Sequence, residues 1–277
     1  MTRGRPLAPE GTLDVDGARL EYRFVRAARA GLPALVFLHE GLGSVSLWRD
    51  FPDEVARRTG CAALIYSRAG YGRSSPVPVP RPLTYMHDEG LRVLPRLLDA
   101  ARLGDVALVG HSDGASIALV HAGGADPAGR VRCVVALAPH VFCEELSVAS
   151  IAKARDAYQR GDLRSRLARH HGENVDVAFW GWNRAWLDPD FMRWNIEKYL
   201  PEIRVPVLVV QGKDDEYGTA AQVRAVAAGC GGPTRVLVLD SCGHSPHRDQ
   251  REATAAAVSE FLAGVCHANP GRRPRGP

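Results

Sequence analysis

Five residues constrain this chain more than any others. Gly110-His111-Ser112-Asp113-Gly114 follow directly on the apolar run Val106-Ala107-Leu108-Val109. This is Gly-x-Ser-x-Gly where a strand should hand over to a helix. In so sharp a turn the serine backbone is strained and its hydroxyl projects beyond the sheet edge. The flanking glycines remove the Cβ atoms that would collide there. A serine hydroxyl by itself is a poor nucleophile. It needs a base to take its proton and donors to hold the oxyanion it creates. The motif therefore predicts further parts.

The chain around it is consistent with a layered α/β molecule. Thr12–Val15 and Ala18–Val25 read as a hairpin turned at Asp16-Gly17. Strands are expected at Ala34–Leu38, Ala62–Tyr66, Val106–Val109, Val131–Leu137, Val205–Val210 and Val236–Leu239. Helices are expected at Leu47–Arg58, Tyr85–Ala101 (kinked at Pro95), Ala115–Ala122 and Glu252–Leu262. Continuous Val/Leu/Ala runs between helices indicate a mostly parallel sheet covered on both faces. The stretch from Val141 to Pro201 breaks this rhythm. It holds four of the five tryptophans, Trp180, Trp182, Trp186 and Trp194, and no convincing strand. It reads as a helical cap inserted into the core, charged over Leu146–His171 and aromatic over Phe179–Trp194, with interruptions at Gly181 and Pro189. The domain reading is thus a core of residues 1–140 and 202–266, a cap of 141–201, and a basic tail of 267–277 read as disordered.

Position selects the base among ten histidines. His244 lies just past the last strand, and in an open parallel sheet ligands bind beyond the carboxyl ends of strands. His247 is the competitor. His39 is expected to hydrogen-bond its own loop, His111 to be fixed in the turn, and His140 to form pocket wall. The carboxylate that orients the base is assigned to Asp215 in Gly212-Lys213-Asp214-Asp215, with Asp214 the alternative; either could instead close an Asx-turn. The order Ser…Asp…His suits a serine on such a strand-to-helix turn. One oxyanion donor is expected from the Asp113 N–H at the start of a helix, where the dipole favours negative charge. The second is assigned to the Gly41 N–H in His39-Glu40-Gly41-Leu42-Gly43-Ser44, with the Glu40 N–H as alternative.

These parts in this order resemble the α/β-hydrolase superfamily over about residues 12–263, and most closely its small cap-bearing bacterial members: enol-lactonases, meta-cleavage-product (carbon–carbon) hydrolases and carboxylesterases. The family's His-Gly-x-Gly loop falls on His39-Glu40-Gly41-Leu42, its elbow on Gly110–Gly114, its acid on Asp215 and its base on His244. Ser67-Arg68-Ala69-Gly70-Tyr71-Gly72-Arg73-Ser74 is similar to its Asp-Arg-x-Gly-x-Gly-x-Ser stretch. Two departures stand out: Glu40 replaces a glycine and Ser67 an aspartate. Glu40 is expected to point away and bond neighbouring backbone; the sharper reading has it position a water or a substrate hydroxyl. A serine nucleophile argues against the dehalogenase and epoxide hydrolase chemistry of this superfamily.

The function expected is serine hydrolysis of a small to medium carboxylic ester or lactone through an acyl-enzyme. Carbon–carbon hydrolysis of a vinylogous diketone, or ligand binding without catalysis, are the alternatives. Glu40, His140, Phe142, Trp180, Trp182 and Trp186 are the candidate pocket residues. No cofactor or metal signal is present, and the partner expected is a small-molecule substrate. The net charge is only +4, and the one basic cluster, Arg272-Arg273-Pro274-Arg275, gives no case for nucleic acid. No apolar run reaches the roughly 20 residues of a membrane span, and the first residues lack a signal-peptide pattern, so a cytoplasmic protein is expected. The six cysteines are scattered and read as thiols. A homodimer is left open.

Overall fold

The computed structural model describes residues 7–268, with side chains through 265. One eight-stranded sheet runs through it in the order β1-β2-β4-β3-β5-β6-β7-β8. Its strands are β1 (Glu10–Val15), β2 (Ala18–Val25), β3 (Ala34–Leu38), β4 (Ala63–Tyr66), β5 (Val106–His111), β6 (Val131–Leu137), β7 (Val207–Gly212) and β8 (Thr234–Leu239). β1 and β2 form an antiparallel hairpin, and β2 meets β4 antiparallel; every other pairing is parallel. The hairpin turns at Asp16 and Gly17, with φ of 55° and 79°. Positive φ at both central residues is what a tight hairpin needs to match the twist of its strands.

The interior strands bury side chains alternately on two faces. Val36, Leu38, Leu64, Leu108, Val134 and Val209 enter one apolar layer; Leu35, Phe37, Ile65, Val109, Val135 and Val210 enter the other. Period-two alternation with both faces apolar explains why these strands read as unbroken hydrophobic runs. The second layer is covered by α1 (Phe51–Thr59) and α10 (Arg251–Ala268). The first is covered by α2 (Tyr85–Asp88), α3 (Leu94–Ala100), α4 (Asp113–Gly124) and α8 (Ala220–Gly229). A short α9 (Pro246–Asp249) precedes α10.

Between β6 and β7 lie α5 (Glu145–Arg160), α6 (Leu163–His171), α7 (Val175–Trp186) and three 3-10 turns, Gly172–Asn174, Pro189–Arg193 and Glu197–Glu202. An isolated bridge, Phe142 to Asn195, is the only strand-like pairing in this stretch among the described residues.

Several sequence expectations shift. The helix expected over Leu47–Arg58 divides into a 3-10 turn, Val45–Trp48, and α1, which starts with Pro52 in its first turn, where a missing N–H costs nothing. The Pro95 irregularity takes the form of a π-helical turn, Glu89–Val93, between α2 and α3; Pro95 then sits in the first turn of α3. Gly181 does not interrupt its segment: α7 runs straight through it. Helix α8 was not anticipated. The last helix extends to Ala268, into the segment read as a tail; the cluster Arg272–Arg275 lies outside the described residues. No helix among the described residues is long and apolar enough to cross a membrane.

Candidate functional site

Parallel pairing brings the carboxyl ends of β3, β5, β6, β7 and β8 to one edge of the sheet, and the sequence-predicted residues follow from them. Ser112 stands between β5 and α4 with φ 51° and ψ −120°, a left-handed strained conformation for a residue with a Cβ. The elbow can close this tightly because Gly110 and Gly114 lack side chains. A Cβ on Gly114 would run into the carbonyls of Leu38 and His39, and one on Gly110 into the backbone of Gly114 and Ala115.

His244, on the loop after β8, places Nε2 2.9 Å from Ser112 Oγ. Its Nδ1 lies 2.9 Å from both carboxylate oxygens of Asp215. Asp215 Oδ1 also accepts the N–H groups of Tyr217 and Gly218 at 2.7 and 3.1 Å, and Oδ2 accepts Gln211 Nε2 at 2.7 Å. The Asx-turn and the link to His244 are therefore made by the same carboxylate. Burial raises the Asp215 pKa, but the His244 bond and charge and the Tyr217 N–H outweigh it and hold it below the usual carboxylate range. An ionised carboxylate is acceptor-only, so Nδ1 carries the imidazole proton and Nε2 is free to accept the Ser112 O–H.

The competitors are elsewhere. Asp214 contributes its backbone N–H to Cys242 O. His247 is buried among Trp48, Phe51 and His111, with ring centroids 4.9, 5.6 and 4.8 Å away, and burial holds its pKa well below that of a free imidazole. His140 is buried against Trp186 and 5.5 Å from the His244 ring. Burial, then the neighbouring His244, lower its pKa to about 3, so it lines the site as a neutral ring.

The loop after β3 is held from several sides. Glu40 O accepts Arg68 Nη2 at 2.9 Å, His39 Nδ1–H at 2.7 Å and the Gly43 N–H at 3.1 Å. In a trans peptide the next N–H points opposite the carbonyl, so the Gly41 N–H faces away from Arg68. Neither Gly41 nor Asp113 spends its N–H in a turn or loop hydrogen bond among the described residues. Arg68 is fully buried, and its Nη1 lies 3.7 Å from Asp113 Oδ2, which also accepts the Tyr85 hydroxyl at 2.5 Å.

Glu40 does turn away, but not to backbone. Its carboxylate faces His111, with Oε2 3.5 Å from Nδ1, while His111 Nε2–H donates to the His244 carbonyl at 2.7 Å. Burial pushes the Glu40 pKa up, but the surrounding histidines, His111 first and then His39 and His247, together more than reverse this and hold the carboxyl far below its ordinary range. Ser67, where the resembling family carries aspartate, donates to Glu21 Oε2 at 2.8 Å and accepts the Val45 N–H at 2.9 Å. A carboxylate from β2 thus reaches this position through a serine hydroxyl.

The aromatic candidates divide. Trp182 lies directly over Gly41, where any Cβ would strike its indole. Trp186 donates Nε1–H to Tyr85 OH at 3.0 Å and packs on His140. Trp180 is not brought to the site: its ring partners are Tyr158, Phe179 and Arg184. It sits two residues from Trp182 on α7, so it projects toward a different side. Phe142 is half-buried, and both its backbone groups engage Gln222, its N–H at 3.5 Å and its carbonyl at 3.0 Å. Sequence reasoning missed Gln222, Tyr85 and His171, whose partners lie far along the chain and leave no local pattern. Ser112 itself is buried, 6% exposed.

The geometry can support proton transfer from a serine hydroxyl to an oriented imidazole at a water-poor site. Comparison with known proteins agrees with the fold. A model of the "Alpha/beta hydrolase family" matches residues 35–257. A proline iminopeptidase of Lactobacillus helveticus is 23% identical, over 91% of this chain and 97% of its own. A serine hydrolase involved in carbazole degradation superposes with a TM-score of 0.70 at 18% identity, covering 92% of this chain and 98% of that one. The enol-lactonase of Burkholderia xenovorans LB400 gives 0.67 at 21%, covering 91% and 99%. Since the family model spans most of the chain, and the sheet has the order and polarity such a molecule requires, the chain belongs to the alpha/beta hydrolase family.

Proposed function

We propose that the protein is a serine hydrolase acting on a small to medium carboxylic ester or lactone. The observation that carries this reading is the unbroken hydrogen-bonded line from Ser112 Oγ through His244 to Asp215. Ser112 Oγ attacks the carbonyl carbon as its proton passes to His244 Nε2. The oxyanion is held by the N–H groups of Gly41 and Asp113. His244 then protonates the leaving oxygen, and the acyl-enzyme forms. A water that gives its proton to Nε2 attacks the acyl carbon, and Ser112 regains its proton as the acid departs. Asp215 keeps its charge throughout and stabilises the imidazolium. In this reading the segment 141–201 is a cap. Trp182, Trp186 and Phe142 form its side of the pocket and His140 the core's, and the cap excludes water that would weaken the oxyanion contacts. The esterase, lactonase and serine hydrolase relatives lend this their chemistry only as a class.

A fluorophosphonate probe tests it, with the labelled peptide located by mass spectrometry. Label is expected on Ser112, absent in Ser112→Ala and weak in His244→Ala. Ester and lactone panels should then show turnover that Ser112→Ala lowers by 10³-fold or more, in line with roughly 10⁶-fold losses for such residues. Folded protein that binds substrate analogues but neither labels nor turns over would make it a binding protein instead.

A further inference from the structure

One buried side chain of the cap reaches two core loops at once. His171 ends α6, and its ring is enclosed between the loop after β3 and the turn after β4. Nδ1 accepts the Gly72 N–H at 3.0 Å, and Nε2 lies 3.0 Å from the Leu42 carbonyl. Leu42 is the residue after Gly41, the assigned oxyanion donor. A carbonyl can only accept, so Nε2 carries the proton; an amide N–H can only donate, so Nδ1 is bare. Both bonds exist only in the neutral, Nε2-protonated ring. Three residues on, Asn174 Nδ2 donates to the carbonyls of Gly72 and Ser74 at 3.1 and 2.7 Å, so the turn that His171 reads is itself pinned to the cap. On the far side, the Glu40 carbonyl is held by Arg68 and His39. The peptide bearing the Gly41 N–H is therefore gripped from the core at one end and from the cap just beyond the other.

We propose that His171 is a positioning residue for the oxyanion loop, holding the Gly41 N–H in place only while the cap is docked and the imidazole is neutral. This rests on the hydrolase reading above. Protonating Nδ1 would set an N–H against the Gly72 N–H and break that bond while Nε2–H stayed on the Leu42 carbonyl, so the ring bridges the two loops above the His171 pKa and ceases to bridge them as pH falls through it. Burial lowers that pKa, only partly opposed by the bond to Leu42 O, so the loss comes on the acid side of a free imidazole's titration. The groups that face the ring from neighbouring elements are His39 and Glu40 on the loop after β3, Glu21 on β2, Tyr71 on the turn after β4, and His170 on α6. A docked cap thereby completes the site and an undocked one does not.

The test compares His171→Ala and His171→Gln with the wild-type full chain, using the ester or lactone turned over best. Glutamine can present both an acceptor and a donor but does not titrate. His171→Ala is expected to lower kcat by about 10-fold to 100-fold, part of the 10²–10³ lost when an oxyanion donor is deleted, with KM within about threefold of wild type. His171→Gln should recover most of kcat. The acid limb of log kcat should steepen from slope one toward two in wild type at its lowest pH, and keep slope one in His171→Gln. A kcat for His171→Ala within about twofold of wild type overturns the proposal. So does a His171→Gln enzyme that folds but is as slow as the alanine variant, since shape rather than hydrogen bonding would then be what matters. If wild type itself shows no Ser112-dependent labelling or turnover, the hydrolase reading falls and takes this assignment with it; intact labelling with an indifferent His171 overturns the positioning role alone.

Discussion

At the scale of single residues, the decisive feature is that Asp215 satisfies three backbone or amide donors and an imidazole with one carboxylate. That web fixes which nitrogen of His244 holds the proton. Asp215→Asn should keep the shape but present an amide N–H that favours the wrong tautomer. A fall in kcat of about 10⁴-fold is expected, with little change in KM. The same carboxyl affects stability. Its pKa is depressed on folding, so its contribution is present above the ordinary carboxylate pKa of about 4 and drains away as pH falls through the lower folded value. Thermal unfolding of Asp215→Asn should therefore lose part of the wild type's acid sensitivity below about pH 4. The sequence left Asp214 and Asp215 as rivals because both belong to one polar loop. Which one faces His244 depends on how Gln211, Tyr217 and Gly218 fold that loop back.

At the scale of elements, β5, the elbow and α4 were legible because each has a local cause: an apolar run, two glycines, then a helix. Gly114 is the strictest of these positions, since its hydrogen points at the end of β3. Gly114→Ala should cost about 1–3 kcal/mol by urea unfolding, the range for forced overpacking. A smaller loss than about 0.5 kcal/mol would mean that the end of β3 yields more readily than its packing indicates. Gly181 shows the reverse lesson. In sequence it reads as a helix breaker, since glycine costs about 1 kcal/mol in a helix interior. In the fold, α7 continues through it, and the glycine lets the Arg81 side chain lie against the helix, where a Cβ would collide with it. Packing that no local pattern encodes outweighs the propensity.

Across the whole molecule, the segment between β6 and β7 is tied to the parts that would do chemistry. Ser147 and Ser150 donate to the carbonyls of Tyr217 and Glu216 beside Asp215. Trp182 covers Gly41, and His171 reaches Leu42 and Gly72. Where the segment leaves the core, buried Gln222 accepts the Val141 N–H at 2.7 Å and donates to Phe142 O and Glu144. Gln222→Ala should strand those groups at a cost of about 1–3 kcal/mol. Limited proteolysis should then cut within residues 141–201 sooner than in the wild type; an unchanged cleavage pattern would show that Gln222 does not anchor the segment. Gly41→Ala should drive the Trp182 indole off the oxyanion loop and lower kcat. The double variant with Trp182→Ala should recover part of that loss, because the added methyl would no longer meet the ring. Purely additive losses would show that the clash is not the cause.

The sequence by itself determined the class of fold, the strand-to-helix turn at Ser112 and the chain order of Ser112, Asp215 and His244. Apolar runs, glycine pairs and chain order are local or periodic, and a parallel sheet brings strand ends to one edge whatever the loops do. The tertiary structure brings Asp215 and His244, the residues the sequence favoured, into line with Ser112 and leaves Asp214 and His247 elsewhere. It alone turned Glu40 toward His111, took Trp180 away from the site and put Trp182 over it. Those outcomes depend on contacts between residues tens to more than a hundred positions apart. Such contacts are set by how whole layers pack, and one residue of helical rotation or loop register reverses them.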